Sequence, residues 1–256
     1  MKPEAAYTCE RCHDTGFYRL PPSDEHPNGA MAECSCRLRA RRRRHLDQLM
    51  RQSGLDADTL RRWSFDTFRP DAALADPDGR AELAQILAYC QHYAQDPQGW
   101  LILCGAYGCG KSHLAYATAA AHYRTGRAVY ACTVPELLQT LRQGFNSKTG
   151  PDSFDARFDL VREADLLLLD DLGAEHATPW GAEKLYTIID YRYRRRLPLI
   201  ITTNINLYDP KGRIEPRVLS RILDGANLPE GFSRVYLIPA HDYRLRTPQQ
   251  TKKPGT

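Results

Sequence analysis

No run of apolar residues in this 256-residue chain approaches the roughly 18 that a membrane span needs, so no bilayer-crossing helix is expected. The N-terminal stretch MKPEAAYTCERCHD has neither the apolar segment nor the small-residue cleavage site of a secretory signal, and the protein is expected to stay in the cytoplasm. In that reducing compartment the eight cysteines are expected as thiols or metal ligands, not disulfides. Internal repeats and low-complexity tracts are lacking too, which excludes solenoid and fibrous architectures. What remains, 42% hydrophobic and 26% charged residues, is the composition of a globular protein with one substantial core and room for a small extra module.

Positive charge is concentrated in one block. The chain carries a net charge of +4, yet residues 37–62, RLRARRRRHLDQLMRQSGLDADTLRR, hold nine Arg against three Asp, so the remainder is slightly acidic. A run as dense as Arg41 to Arg44 can neutralise several phosphates and release their counterions. A solvated basic helix paired with acidic neighbours accounts for it equally well, because charge alone carries no specificity.

The cysteines divide by position. Cys9 and Cys12 are spaced Cys-x-x-Cys, and Cys34 and Cys36 follow as Cys-x-Cys beyond the turn-rich PPSDEHPNG. Two close thiolate pairs separated by a loop can close a tetrahedral Zn²⁺ site. A segment with so little apolar material would draw much of its folding free energy from the metal. His13 and His26 each offer a replacement for one cysteine. By contrast Cys90, Cys104, Cys109 and Cys132 fall inside helix or strand patterns and read as small buried hydrophobes.

The stretch LILCGAYGCGKSHLA, Leu101 to Ala115, holds the spacing Gly105-x-x-x-x-Gly110-Lys111-Ser112 of a P-loop. A strand-like WLILC precedes it and a helical KSHLAYATAAAHYR follows, the context such a loop requires. Backbone N–H groups of residues such as Tyr107, Gly108, Cys109 and His113, along with the loop glycines, would cradle phosphates at the positive end of the helix dipole. Lys111, read as a surface group, would reach the β- and γ-phosphates of ATP, and the Ser112 hydroxyl would help hold Mg²⁺. Tyr107 has two readings, a cover over the nucleotide or a partner contact on one side and packing on the other. Further along, ADLLLLDDLG reads as a strand buried on both faces and ending in two acids. Carboxylates there lie where ligands bind in open α/β sheets. Asp170 would hold Mg²⁺, mostly through water, and Asp171 would polarise the attacking water as general base.

Short β-rich runs at 128–133, 198–204 and 234–239 alternate with helical stretches such as TPWGAEKLYTIIDYRYRRR and EPRVLSRILDG. The expected fold class is therefore α/β, a five-stranded parallel sheet with helices on both faces.

GAYGCGKS, LLLLDDLG, IITTN and RVLSRI, in this order and spacing, resemble the AAA+ ATPases of the bacterial replicative helicase-loader group (DnaC/DnaI) and their IstB relatives. The resemblance runs from about Phe65 to Ile238. It implies that Asn204, ending the fourth strand of the core, senses the γ-phosphate. It further implies that Arg221 is an arginine finger delivered to a neighbouring subunit, with Arg217 bracing the helix and contacting nucleotide. For both arginines an intramolecular ion pair is the alternative reading. Barely thirty-five residues follow Arg221, too few for a large C-terminal lid, as in the loaders. The resemblance also implies single-stranded DNA binding by the helical stretch after the second strand of the core. There Phe145, Arg142 and Lys148 offer an aromatic and two cations, though Phe145 reads equally as core. The implied function is an ATP-dependent loader that places a replicative helicase on DNA, working as an ATP-dependent homo-oligomer. An IstB-type transposition helper is the alternative within the fold. A metabolic P-loop kinase is disfavoured by the TTN strand end and the RVLSR box, and a zinc-bearing adaptor with a vestigial ATPase remains a further class.

The expected organisation is a Cys-rich zinc module over 1–36, a basic helical linker over 37–64, an AAA+ domain over 65–240 and a disordered tail over 241–256. The expected cofactors are ATP, Mg²⁺ and Zn²⁺.

Overall fold

The computed structural model describes residues 9–24, 26–37, 55–69, 77–147, 150, 152–174, 178–208, 214–227 and 232–239. The tail expected over 241–256, Lys148 and most of the basic block lie outside the described residues. The chain divides into two compact units, Met1–Gln48 and Leu49–Thr256, so the division falls inside the stretch expected as a linker.

The first unit contains a hairpin that its turn-rich sequence does not announce. Strands β1 (Phe17–Leu20) and β2 (Ala30–Glu33) pair antiparallel, with Phe17 opposite Glu33 and Leu20 opposite Ala30. Arg37 lies across the Phe17 ring at 4.2 Å and pairs with Glu33 at 3.1 Å, clamping the open end of the hairpin.

The second unit opens with the short helix α1 (Ala57–Arg62), a 3₁₀ turn at Phe65–Thr67 and the long helix α2 (Pro77–Gln95). Then come β3 (Trp100–Cys104), α3 (Lys111–Arg124), β4 (Val129–Thr133), α4 (Val134–Gln143), α5 (Phe154–Glu163), β5 (Leu166–Asp170), α6 (Pro179–Arg194), β6 (Leu199–Thr203), α7 (Pro216–Asn227) and β7 (Ser233–Leu237). All five strands of this unit run parallel in the order β4-β5-β6-β3-β7, which bears out the expected sheet. Sequence patterning placed the strand ends within a residue or two. It named no helix over Pro77–Gln95, where α2 packs on α3 through Leu83, Ile86 and Cys90.

The sheet is covered on both faces, which explains why β5 is four consecutive leucines, Leu166–Leu169, none of them exposed. Truncating one of these to alanine would cost about 2–5 kcal/mol. Cys90, Cys104, Cys109 and Cys132 are buried among the same packing, as their patterns predicted. Register then fixes what faces what: Cys104 lies opposite Thr203, and Thr133 opposite Asp170. The loops after β3, β5 and β6 therefore open along one edge. β3 sits between β6 and β7 while its following helix crosses to β4 at the far side, so this edge holds the topological switch point where such sheets bind ligands.

Candidate nucleotide site and cysteine cluster

The loop Gly105–Gly110 joins β3 to α3 through glycines that no other residue replaces cheaply. Gly105 has φ of 148°, and a Cβ on it would lie 3.0 Å from the Cys109 sulfur and 3.1 Å from the Ile238 carbonyl oxygen. Gly110, at φ of 100°, precedes α3 without a side-chain cap, so the first N–H groups of that helix face the loop. This is the cradle that phosphates require. Lys111 corrects one expectation: it is not a surface group but 5% exposed, with its ammonium donating to the carbonyls of Gly105 at 3.0 Å and Ala106 at 2.7 Å. Tyr107 is 68% exposed, so the packing reading does not apply to it.

Asp170, at the end of β5, is brought against the first turn of α3. The Ser112 hydroxyl donates to its Oδ1 at 2.9 Å, and the Thr202 hydroxyl donates to the same oxygen at 2.5 Å. Burial raises the Asp170 pKa, against the two hydroxyl donors and with the help of the neighbouring Asp171 charge. The pair expected to hold Mg²⁺ is thus assembled, and a buried carboxylate beside a hydroxyl is a donor set that suits a hard cation. Asp171 follows in the left-handed region at φ of 57°, its N–H bonded to Thr202 Oγ1 at 2.9 Å. Asn204 lines a cavity of about 360 Å³ together with Cys104, Gly105 and Ala106, beside the start of the loop.

A larger cavity, about 460 Å³, lies on the other side of the loop. Its walls are Gly108–His113 and, from the N-terminal segment, Arg62, Trp63, Thr67, Phe68 and Arg69. His113 joins the two: its Nε2 lies 3.1 Å from Thr67 Oγ1 and 3.0 Å from the Ser64 carbonyl, and its ring meets those of Trp63 and Phe68 edge-on at 5.5 and 5.3 Å. An aromatic-lined recess next to a phosphate cradle fits a nucleobase. Sequence reading missed the segment 62–69, because its residues carry no spacing motif and reach the loop only through the fold.

The RVLSR box lies on α7. Arg221 Nε bonds Asp190 Oδ1 of α6 at 3.1 Å, with its guanidinium 5.0 Å from the centre of the Tyr193 ring. Arg217 pairs with Glu215 at 2.7 Å and lies over the Tyr186 ring at 4.3 Å. Both arginines therefore have intramolecular carboxylate partners. At the end of α4, Phe145 is 57% exposed and so not core. It stacks on Phe154 at 4.6 Å, with Trp180 at 5.9 Å and Arg142 5.1 Å over the Trp180 ring.

In the first unit Cys9, Cys12, Cys34 and Cys36 converge, with their sulfurs all within 4.8 Å of one another. The cross pairs Cys9–Cys34 and Cys12–Cys36 are 3.7 and 3.3 Å apart. Tetrahedral Zn–S bonds of about 2.3 Å set sulfurs about 3.8 Å apart, so this donor set fits Zn²⁺. Neither His13 nor His26 belongs to the group. The N–H of Cys36 lowers the Cys34 thiol to about 7, while its contact with Cys12 and burial push the Cys36 thiol up to about 12, so the four sulfurs do not share one protonation tendency without a cation.

Glycine cradle, buried carboxylate and switch-point position together define a P-loop ATPase of the AAA+ class. The chain belongs to the family described as IstB-like ATP binding protein, which it matches over residues 35–247. It is similar to protein XkdC of the phage-like element PBSX of Bacillus subtilis (strain 168), at 26% identity over 208 residues, covering 78% of this chain and 73% of that one. The replicative helicase loader DnaI of the same strain is 22% identical, over 75% of this chain and 62% of its own length, less than two thirds of that relative. Among solved structures, the DnaC helicase loader aligns with a TM-score of 0.56 and 23% identity, covering 71% of this chain and 99% of that one, a likeness of fold. Among the described residues no helix is long and apolar enough to cross a membrane.

Proposed function

We propose that this protein is an ATP-switched loader that binds single-stranded DNA and places a replicative helicase on it. The observation that carries the reading is the coexistence, in one unit, of the assembled Lys111–Ser112–Asp170 site with an aromatic and cationic face, Phe145 and Arg142 exposed and Trp180 half-buried beside them. Lys111 would turn from the Gly105 and Ala106 carbonyls to the phosphates of ATP, and the base would occupy the recess by His113 and Phe68. Mg²⁺ held by Ser112 and Asp170 would neutralise charge on the phosphate oxygens. Asp171 would orient the attacking water and draw its proton, while Asn204 would donate to the γ-phosphate. Bases of single-stranded DNA would stack on Phe145 and Trp180 with the Arg142 charge beside the backbone. Zinc at the four cysteines would hold the first unit, which by likeness to the loaders would meet the helicase.

The IstB-like family match favours a second reading, a transposition helper acting on a transposase instead of a helicase. One experiment separates them. The full chain is tested for depositing its host's ring helicase on protein-coated single-stranded circles in the presence of ATP, with Asp171→Asn as control. ATP-dependent deposition lost in the variant supports the loader. Absence of deposition, with ATP turnover intact, removes helicase loading and leaves the transposition reading.

A further inference from the structure

Two threonines at the end of β6 bind the segment that carries both acids. Thr202 is fully buried and uses its hydroxyl twice: it donates to Asp170 Oδ1 at 2.5 Å and accepts the Asp171 N–H at 2.9 Å. Its carbonyl accepts the Leu172 N–H at 2.9 Å. Thr203, next along, donates to the Leu172 carbonyl at 2.8 Å and accepts the Ile205 N–H at 3.1 Å. Asp171 sits between these bonds in a left-handed backbone conformation, φ of 57°, which a non-glycine residue holds only when its surroundings fix it. Asn204 follows Thr203 directly on the same strand end.

We propose that Thr202 is a positioning residue for ATP hydrolysis: its hydroxyl fixes Asp170 and the backbone of Asp171 together, so that movement of the β6 end at Asn204 is transmitted to the acid that orients water. The inference rests on the roles given to Asp170 and Asp171 above. A hydroxyl is needed because one group must donate to a carboxylate and accept from an N–H at once, which an apolar side chain of the same shape cannot do. Without it the partly buried Asp171 N–H loses its partner and the left-handed turn its anchor. Nucleotide binding should be little affected, because Thr202 does not line the base recess and its hydroxyl reaches the metal-holding pair only through Asp170, which keeps its Ser112 bond.

The test is steady-state ATP turnover by the full chain with Mg²⁺ and a single-stranded oligonucleotide, alongside binding of a fluorescent non-hydrolysable ATP analogue. Thr202→Val keeps volume and branching while removing the hydroxyl. It is expected to lower kcat about 10- to 100-fold, the effect of displacing a catalytic group by about an ångström, with KM and analogue affinity within about twofold of the parent. Thr202→Ser, which keeps the hydroxyl, is expected to hold kcat within about threefold. If Thr202→Val does not fold, Thr202→Ala is read the same way. Undiminished kcat in the variant lacking the hydroxyl overturns the inference. Equal losses in Thr202→Ser and Thr202→Val overturn it too, since that pattern reports packing. Asp171→Asn is the control for the underlying reading: if it turns over like the parent, the general-base role falls. If Asp171→Asn is inactive but Thr202→Val is not, only the present inference falls.

Discussion

At the scale of single residues, the site works against the stability of its own fold. Burial raises the Asp170 pKa, so between the ordinary carboxylate value and the raised one the folded chain binds more protons than the unfolded chain. Stability therefore falls as pH rises through that window, because ionising the buried carboxylate is a cost. Asp170→Asn keeps an oxygen for Ser112 and Thr202 while removing the charge. It should abolish turnover yet raise the melting temperature of the nucleotide-free protein, by roughly 2–4 °C for each kcal/mol relieved. A lower melting temperature in differential scanning calorimetry would refute this. His122 has the opposite slope. Its Nδ1 donates to the Ala94 carbonyl at 2.9 Å inside the α2–α3 contact, and burial lowers its pKa below 6.5. The unfolded chain then takes up the proton first as pH drops, so stability present above about pH 6.5 is lost below it. His113, also lowered by burial, acts in the same sense. Urea midpoints should fall from about pH 7.5 to about pH 5.5, and His122→Gln should flatten part of that fall. The P-loop and its acids were legible from spacing because the chemistry there depends on contiguous backbone. Thr202 and Arg192 were not. Arg192 sits in a run with Arg194, Arg195 and Arg196, yet it alone of the four is fully buried, donating to the carbonyls of Arg162, Ala164 and Pro198. Its place is decided by where the loops before β5 and β6 end, which no local pattern encodes.

At the scale of elements, the strands were readable and the surfaces they support were not. Four leucines in a row report a strand covered on both faces, whereas the aromatic face is assembled from three separate elements: Phe145 after α4, Phe154 opening α5 and Trp180 in the first turn of α6. Sequence reading named Phe145 and left its burial open; its stacking partners come from 9 and 35 residues further on. If this face stacks bases, Phe145→Ala and Trp180→Ala should each weaken single-stranded DNA binding by about 1–3 kcal/mol, roughly 5- to 150-fold in Kd. Because Phe145 is more than half exposed, its loss should shift thermal stability little. Fluorescence anisotropy beside thermal melts decides, and a larger loss of stability than of affinity would assign the cluster to packing. The hairpin β1–β2 makes a parallel case. Four residues per strand cannot hold themselves together in water, so a metal held by the convergent cysteines would be the stabilising element. About one zinc per chain is expected by elemental analysis, lost together with amide protection of the hairpin when Cys9 and Cys12 become serine. Metal-free protein with a protected hairpin would contradict the assignment.

At the scale of the whole molecule, the question is whether one chain contains a complete catalytic site. Lys111, Ser112, Asp170, Asp171 and Asn204 gather on one edge of the sheet, while Arg221 lies on α7 and is engaged by Asp190 of α6. That carboxylate is shared, since Arg194 also binds it at 2.7 Å. Release of Arg221 would therefore not strand a buried, unpaired charge, and exchange of Asp190 for the phosphates of a neighbouring chain is energetically open. If Arg221 acts as a finger in trans, Arg221→Ala should bind ATP nearly as well as the parent and hydrolyse it about 10³-fold or more slowly, because such a group touches only the developing charge. Lys111→Ala should lose nucleotide binding. It should also lose some stability, since the Gly105 and Ala106 carbonyls forfeit their donor. Each variant lacks only one half of a shared site: the first keeps an intact pocket, the second an intact finger. Mixing them should restore measurable turnover in proportion to the interfaces that pair one of each. Recovery that depends on protein concentration establishes a site built between chains. Co-assembly without recovery, shown by cross-linking, would place Arg221 in its own chain as a partner of Asp190 alone.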